Sequence, residues 1–387
     1  MRELLALVLA STLLFGCSAG RSDLDAADQP RGRPVPLISN GRAGFIDSSG
    51  RIVIAPTLRP FSNWGQAFYD GLLSLGVADG PFLNTRGQKV LDNGFFRIWN
   101  FSEGLAAAMK TTNSKWGFVD HEGKFVIPPR FPSYPEGLVS SFSDGLAKID
   151  VSGKVGYIDH SGRYAIPPQY IAGTDFDNGY ARVVTEGPCM YFYDEHFDPC
   201  IRRDPIFAPG TGSAHKAAQS AQSLCKWRFI DKTGKPIFVQ EFEGAMGFRE
   251  RLAAVKVGGL WGFINLQGAF VISPAFLQVR SFSDGLALVS NDKQSGFIDK
   301  TGALKIPVEF FKAEPFSEGL AVIGHPDEGY VFIDSRGKQA LPERFALASR
   351  FFHGLAHVRP RWSDGSFAYI TSTGKRVFTY VVTGPIR

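Results

Sequence analysis

The chain has 387 residues, of which 44% are hydrophobic and 20% charged, and its formal net charge is +5. This composition is typical of a folded protein with a large core, and it excludes the class of disordered chains with low hydrophobicity and high charge. Lys and Arg are spread without a dense block, so we predict no nucleic-acid partner.

The first element is a short apolar stretch at the N-terminus. A mostly apolar run over residues 4–15 is too short to span a bilayer and is typical of a signal-peptide core. It ends in Leu14-Phe15-Gly16-Cys17, which resembles the lipobox of bacterial lipoproteins. The resemblance implies cleavage before Cys17 and acyl chains on its thiol and new amino group; the alternative is an ordinary secretory signal. Because Ser18 rather than Asp follows the cysteine, the resemblance also implies an outer-membrane destination in the bacterial cell envelope.

We therefore divide the chain into a signal peptide (1–16), a flexible lipid-anchored tether (17–40) and a repeat domain (41–387). Residues 18 to about 40 have few apolar residues and several Gly, Pro and Asp, which is typical of a tether. No second apolar stretch is long enough for a transmembrane helix.

The repeat is a short strand-like phrase of the type Phe-Ile-Asp-x-x-Gly, which recurs ten times with steps of 34 to 39 residues. The aromatic residues of the phrase are Phe45, Phe82, Phe118, Tyr157, Phe192, Phe229, Phe263, Phe297, Phe332 and Tyr369. A fixed period near 36 residues indicates one copied supersecondary unit that needs its neighbours to bury its apolar face.

Each phrase predicts a β-hairpin. Apolar and polar residues alternate over four to six positions, the Asp begins a tight turn, and the Gly three residues later can take positive φ. The following strand, as in Phe125-Val126-Ile127, is expected to end at or near Pro, which cannot donate to a ladder and so closes the strand. A second phrase, such as Phe282-Ser283-Asp284-Gly285, makes another turn and starts the strand that leads into the next first phrase.

The acidic residues of these turns are expected to be structural because they occupy equivalent positions in different units. In the first phrase they are Asp47, Asp120, Asp159, Asp231, Asp299 and Asp334, and in the second phrase Glu103, Asp144, Asp284 and Glu318. Trp116 and Trp261, each before a Gly, are expected to pack between units.

Lys-Trp-Gly-Phe-Val-Asp at Lys115 and Leu-Trp-Gly-Phe-Ile-Asn at Leu260, with Phe-Ser-Asp-Gly-Leu-Ala after them, resemble the bacterial WG (KWG) repeat. The resemblance covers roughly residues 41–380, although several units lack the Trp. It implies a β-rich repeat protein with a binding role and transfers no catalytic residue.

We predict an all-β tandem repeat of about ten β-hairpin or meander units. An open solenoid or superhelix is preferred, because ten blades are many for a propeller; the alternative is a closed β-propeller-like array.

The pattern breaks after Tyr191, where an irregular insertion at about 202–226 is expected. Cys189 and Cys200 flank this phrase and are the first choice for a disulfide in an oxidising envelope; Cys200 with Cys225 is the second.

Catalytic motifs such as HExxH, GxSxG and the P-loop are absent from the sequence, so we predict no enzyme, no cofactor and no metal site. His353 and His357 lie four residues apart in a predicted strand, with no third ligand evident. The expected function is a lipid-anchored envelope protein that binds or scaffolds another protein. The alternative is a module that binds peptidoglycan or a surface glycan through Trp64, Trp99 and Trp362, although core packing also explains these residues.

Overall fold

The computed structural model describes residues 34–39, 42–58, 68–75, 81–91, 94–112, 114–133, 137–186, 226–291, 294–325, 327–360 and 365–381. These residues contain strands and turns and no helix. They form nine sheets of three or four strands, in which consecutive strands are neighbours.

The strands of the first three sheets are as follows. Sheet I has β1 (Val35–Ser39), β2 (Arg42–Ile46) and β3 (Ile52–Leu58); sheet II has β4 (Leu72–Ser74), β5 (Phe82–Asn84) and β6 (Lys89–Leu91); sheet III has β7 (Arg97–Ile98), β8 (Ala106–Met109), β9 (Trp116–Val119) and β10 (Phe125–Phe131).

The next three sheets follow the same order. Sheet IV has β11 (Gly137–Ser143), β12 (Leu146–Val151), β13 (Lys154–Ile158) and β14 (Tyr164–Tyr170); sheet V has β15 (Ala172–Gly173), β16 (Tyr180–Val184) and β17 (Trp227–Asp231); sheet VI has β18 (Gly244–Ala245), β19 (Ala253–Val257), β20 (Leu260–Ile264) and β21 (Phe270–Phe276).

The last three sheets complete the described chain. Sheet VII has β22 (Gln278–Val279), β23 (Leu286–Ser290), β24 (Ser295–Asp299) and β25 (Leu304–Phe310); sheet VIII has β26 (Lys312–Ala313), β27 (Ala321–His325) and β28 (Gly329–Ile333); sheet IX has β29 (Leu347–Ala348), β30 (Ala356–Arg359), β31 (Ser366–Ile370) and β32 (Arg376–Val381).

Each described sheet contains one aromatic phrase, in the position that the sequence predicts. In sheet VII the second phrase leads into β23, the aromatic phrase forms β24, and the turn at Asp299 leads into β25. The prediction of a hairpin with a second turn before it is therefore confirmed.

The strand after the Asp-x-x-Gly turn ends near its prolines, as predicted, but it continues through them, so proline does not close the strand. β10 contains Pro128 and Pro129 and continues to Phe131, and β14 contains Pro167 and Pro168 and continues to Tyr170. Both lie at the edge of their sheets and have register shifts against the neighbouring strand. An edge strand tolerates proline because one side of its backbone has no ladder partner, and a bulge absorbs the irregular register.

The number of repeat units is nine in the described residues, rather than about ten. β16 pairs directly with β17, with Val184 opposite Trp227, so the connection between them is a long insertion in one hairpin loop. The phrase at Phe192 belongs to this connection, whose residues 187–225 lie outside the described residues. The predicted insertion at about 202–226 lies in the same undescribed segment.

Contacts divide the chain into two compact units. The first unit consists of residues 1–75, 83–88 and 276–387, and the second of residues 76–82 and 89–275. In the second unit, apolar clusters join sheet III to IV, IV to V, and V to VI. These clusters confirm that neighbouring repeats bury their apolar faces against each other.

The first unit contains the same stacking and also brings the two ends of the described chain together. Clusters join sheet VII to VIII, VIII to IX, and I to II, and a further cluster joins Val35 and Leu37 of sheet I to Phe367, Tyr369 and Tyr380 of sheet IX. The Tyr369 hydroxyl also donates to the Pro36 carbonyl oxygen.

The fold is therefore all-β, and the contact between the first and last sheets favours the propeller-like alternative over the preferred open array. In an open array those two sheets would lie at opposite termini and would have no shared cluster.

The contact of sheet I also corrects the predicted tether. The sequence assigns residues 35–39 to the tether, but they form β1. The side chains of Val35 and Leu37, which alternate with Pro36, are buried. The rest of the predicted tether before residue 34, and the predicted signal peptide, lie outside the described residues.

Candidate functional site: the two ends of the sheets

Each sheet has two distinct ends. At the turn end, the Asp-x-x-Gly turn and the Phe-Ser-Asp/Glu-Gly turn lie side by side, as the pairing of Leu286 with Asp299 places them in sheet VII. At the loop end, the hairpin loop before the aromatic phrase connects two strands, as between Ser290 and Ser295.

Most of the predicted site residues lie outside the described residues. These are Cys17, Trp64, Cys189, Cys200, Cys225 and Trp362. Trp99 is described and half-buried; its ring stacks on Trp116, with centroids 5.5 Å apart and planes 11° apart. The indole nitrogens of Trp99 and Trp116 are both buried. Trp99 therefore packs within the apolar cluster of sheets III and IV rather than forming an open platform.

The aspartates of the first turn have the structural role that the sequence predicts. In each of the six turns, the Asp Oδ1 atom accepts backbone N–H bonds from the second and fourth following residues, at 2.9 to 3.1 Å. The pKa values of four of these carboxyl groups are lowered, mainly because a neighbouring Ser or Thr hydroxyl donates a hydrogen bond to each. They are Asp47, Asp159, Asp231 and Asp299. A carboxylate whose pKa is lowered in this way is a poor general base near neutral pH.

The acids of the second turn connect neighbouring sheets. Glu103 accepts the backbone N–H of Gly145, and Glu318 accepts that of Gly354, each at 3.0 Å to the nearer oxygen. Asp284 accepts the Gly319 N–H at 2.8 Å. The serine beside each acid adds a bond to the next sheet, as Ser283 Oγ does to the Phe316 carbonyl at 2.7 Å. The second turn is therefore a repeated contact between sheets, which the sequence did not predict.

A charged cluster joins sheets IV, V and VI of the second unit. Lys148 Nζ lies 3.9 Å from Asp175 Oδ1, and Arg249 pairs with Asp177. Arg182 donates to the Ala245 carbonyl of sheet VI, and desolvation lowers the pKa of its guanidinium to about 10. Part of the Arg182 side chain still contacts solvent.

The sequence contains a signal for this cluster. Lys148 and Arg182 occupy the strand position that holds Ala107, Ala254 and Leu288 in other sheets. A charged residue at a position that is otherwise small or apolar indicates a polar contact between sheets.

The loop end of the first unit carries exposed apolar side chains. Leu277 and Phe311 are 47% and 59% exposed, and each immediately precedes the first strand of the next sheet. Val381, at the loop end of sheet IX, is 47% exposed. The Phe311 ring also contacts the His325 ring, with centroids 4.5 Å apart. These side chains can contribute apolar area to a protein contact.

The long insertion also leaves its sheet at the loop end. Val184 and Trp227, which flank it, are paired at the loop end of sheet V in the second unit. Loops on repeat scaffolds are common places for binding residues.

No group of three or more His, Cys, Asp or Glu residues that could hold a metal ion occurs within the described ranges. His353 and His357 do not share a strand: His353 is a turn residue with positive φ, and His357 lies in β30. Among the described residues, no helix is long and apolar enough to cross a membrane.

Five segments match the family described as WG containing repeat, over residues 116–154, 156–187, 227–261, 261–294 and 296–324. Each match begins at or near an aromatic phrase and continues through the second turn, so these five segments, in sheets III to VIII, are similar to the WG repeat. No curated protein matches the chain.

Solved structures match the chain at low identity. A eukaryotic initiation factor is 10% identical, with 91% of this chain and 96% of that chain covered and a TM-score of 0.55. A computationally designed protein, Ika8, is 12% identical over 73% and 85% of the two chains, with a TM-score of 0.40. BamB from Moraxella catarrhalis is 11% identical over 92% and 93%, with a TM-score of 0.37. The first similarity concerns the fold alone, and the other two are too weak to support a conclusion.

Proposed function

We propose that the protein is a lipid-anchored binding module of the bacterial cell envelope, which holds another protein at the loop end of its sheets. Its activity is binding or scaffolding rather than catalysis. The observation that carries this proposal is the exposure of Leu277, Phe311 and Val381 at the loop ends of sheets VII to IX. Leu277 and Phe311 lie in segments that match the WG repeat, which is the scaffold that presents them.

The physical reason is that exposed apolar side chains gain free energy when a partner covers them. Apolar burial contributes about 25 cal/mol for each Å² removed from water. Phe and Leu at the centre of a contact, surrounded by polar residues, are typical of protein interfaces.

The experiment compares Leu277→Ser/Phe311→Ser with wild type in cross-linking and co-purification from detergent-solubilised envelopes. We expect the double variant to lose a partner that wild type retains, with an unchanged far-ultraviolet circular dichroism spectrum. Leu304→Ser is the matched control, because Leu304 is equally exposed but lies at the turn end. Retention of the same partner by the double variant would refute this binding surface.

The anchor requires its own test. Cys17→Ala is expected to move the protein from the membrane fraction to the soluble fraction, because several acyl chains hold a protein to a bilayer more firmly than one. Sedimentation with peptidoglycan tests the glycan alternative; sedimentation that depends on Trp64 and Trp362 would favour it over the protein partner.

A further inference from the structure

We infer that the loop end of sheet VIII recognises a basic segment of the partner protein, in which an Arg or Lys side chain rests on an exposed aromatic pair and faces a rim of carboxylates. The inference rests on the proposed function and deepens it, because it names the chemistry of the partner that Phe311 contacts.

The first argument is the aromatic pair. Lys312 of β26 lies opposite Gly324 of β27, so Phe311 and His325 are the next residues toward the loop end on these two strands. Their ring centroids lie 4.5 Å apart. Phe311 is 59% exposed and the His325 side chain is 37% exposed. An exposed aromatic face attracts the ammonium group of Lys or the guanidinium group of Arg.

The second argument is that a carboxylate lies beside this pair without a cation to neutralise it. The Nδ1 atom of His325 accepts the backbone N–H of Asp327 at 3.2 Å. A ring nitrogen that accepts a hydrogen bond carries no proton, so the imidazole is neutral in this arrangement. The Asp327 carboxylate lies 3.6 Å from the same nitrogen, and its side chain is 90% exposed. A cation from a partner can therefore reach both the carboxylate and the rings.

The third argument is that two further carboxylates surround the pair. Glu309 lies two residues before Phe311, and Glu328 follows Asp327 in the hairpin loop; both are exposed. Within the part of the chain that the structure describes, neither Glu309 nor Glu328 takes part in an ion pair. Carboxylates on the rim of an aromatic surface favour a basic partner, because charge complementarity selects the partner and speeds its association.

Basic residues at this loop end leave the charge negative. Lys312 Nζ lies 3.8 Å from Glu314 Oε1, so these two charges compensate each other. Arg344 donates to the carbonyl oxygens of Glu328 and Gly329 and is the other base. Three carboxylates against one guanidinium give a net charge of −2 at the loop end of sheet VIII.

The neighbouring loops do not cancel this charge. Residues 292–293 of sheet VII and 361–364 of sheet IX, which lie outside the described residues, each contribute one acid and one base to the sequence. They therefore add no net charge, and the acidic rim of sheet VIII remains.

The experiment measures the binding of short fluorescent peptides to the chain from Ser18 to Arg387 by fluorescence anisotropy. One peptide alternates Arg and Leu, and the other alternates Glu and Leu. We expect tighter binding of the Arg-Leu peptide, and weaker binding at raised ionic strength. The whole chain carries a formal net charge of +5, so nonspecific attraction would favour the Glu-Leu peptide instead.

Two variants test the rim and the ring separately. Asp327→Lys/Glu328→Lys should weaken binding of the Arg-Leu peptide about tenfold and make the Glu-Leu peptide the better ligand, because attraction is replaced by repulsion. Phe311→Leu keeps an apolar side chain but removes the aromatic face, and it should weaken binding of the Arg-Leu peptide about threefold.

The matched control is Glu122→Lys/Glu186→Lys, which makes the same charge change on exposed acids of the second unit. It should bind the Arg-Leu peptide nearly as wild type does. No binding of that peptide, equal or tighter binding of the Glu-Leu peptide, or an equal loss in the control would overturn the inference. If Leu277→Ser/Phe311→Ser still loses the co-purified partner in that case, the proposed function stands and this inference alone fails.

Discussion

The glycine of the Trp-Gly pair has a structural cause that is visible at the scale of single residues. A Cβ on Gly262 would lie 2.5 Å from the Ile272 carbonyl oxygen and 2.7 Å from the Pro274 nitrogen. Gly44, Gly117, Gly156 and Gly296 meet the backbone of their own edge strands in the same way. The bulged edge strand thus crosses directly over this position and leaves no room for a side chain.

Gly262→Ala is therefore expected to destabilise the protein by about 1–3 kcal/mol, the usual cost of overpacking a tight site. Urea denaturation followed by tryptophan fluorescence measures the change. Gly94→Ala is the control, because the nearest atom to its Cβ would be the mobile end of Lys110 at 3.9 Å. Equal stability of Gly262→Ala and wild type would show that the edge strand does not lie over this glycine.

His357 is a buried residue whose ionisation links stability to pH. Its Nε2 atom lies 2.8 Å from the Tyr380 hydroxyl, and its ring stacks on Phe367. Desolvation lowers the pKa of His357 to about 3, from an ordinary value of 6.5. The unfolded chain therefore binds a proton between pH 6.5 and pH 3 that the folded chain does not bind.

It follows that the contribution of neutral His357 to the free energy of unfolding is fully present above pH 6.5 and is lost as the pH falls toward 3. At pH 5 we expect a loss of about 2 kcal/mol relative to pH 8 from this residue. The measurement is the free energy of unfolding against pH for wild type and His357→Gln, whose side chain does not titrate. Identical pH slopes for the two proteins would contradict this assignment.

At the scale of elements, the second turn explains how neighbouring sheets are held in register. The serine and the acid of one turn bond to the backbone of the next sheet, as Ser283 and Asp284 do to Phe316 and Gly319. The sequence identified these residues as turn formers but did not predict the contact between sheets. The serine–acid pair recurs in the second turns of sheets III, IV, VII and VIII, and a recurring turn residue indicates a local role but gives no sign of a contact with the next sheet.

Ser283→Ala is expected to cost about 1 kcal/mol, because it leaves the Phe316 carbonyl without this hydrogen bond. Ser335→Ala is the matched control, since Ser335 is an exposed serine in the Asp334 turn of sheet VIII. Thermal unfolding compares the two variants with wild type. Equal effects of the two substitutions would show that the bond between sheets contributes no stability.

The edge strands show the limit of reading local structure from composition. Pro128 and Pro129 are predicted to close their strand, yet β10 lies at the edge of its sheet and continues through them. Proline removes a donor at one position but leaves the rest of an edge strand free to pair. Only the register of the neighbouring strand decides where such a strand ends.

At the scale of the whole molecule, the period predicted the all-β repeat, and the local pattern predicted the hairpins. The sequence contains ten phrases and the described residues form nine sheets, because Phe192 and Phe229 both fit the phrase and only strand pairing shows that β17 is the partner of β16. The contact between the first and last sheets could not be predicted from the sequence either. It depends on the packing of Val35 and Leu37 against residues more than 300 positions later in the chain. Such a contact leaves no periodic signal in the sequence.

Hydrogen exchange tests the central claim, the packing of the first sheet on the last, most directly. We compare the chain from Ser18 with a chain that begins at Arg42 and so lacks β1. If Val35, Leu37 and Pro36 support sheet IX, the amides of β31 will exchange faster in the shorter chain, whereas those of β19 in the second unit will keep their protection. Unchanged protection of β31 after removal of β1 would contradict the account.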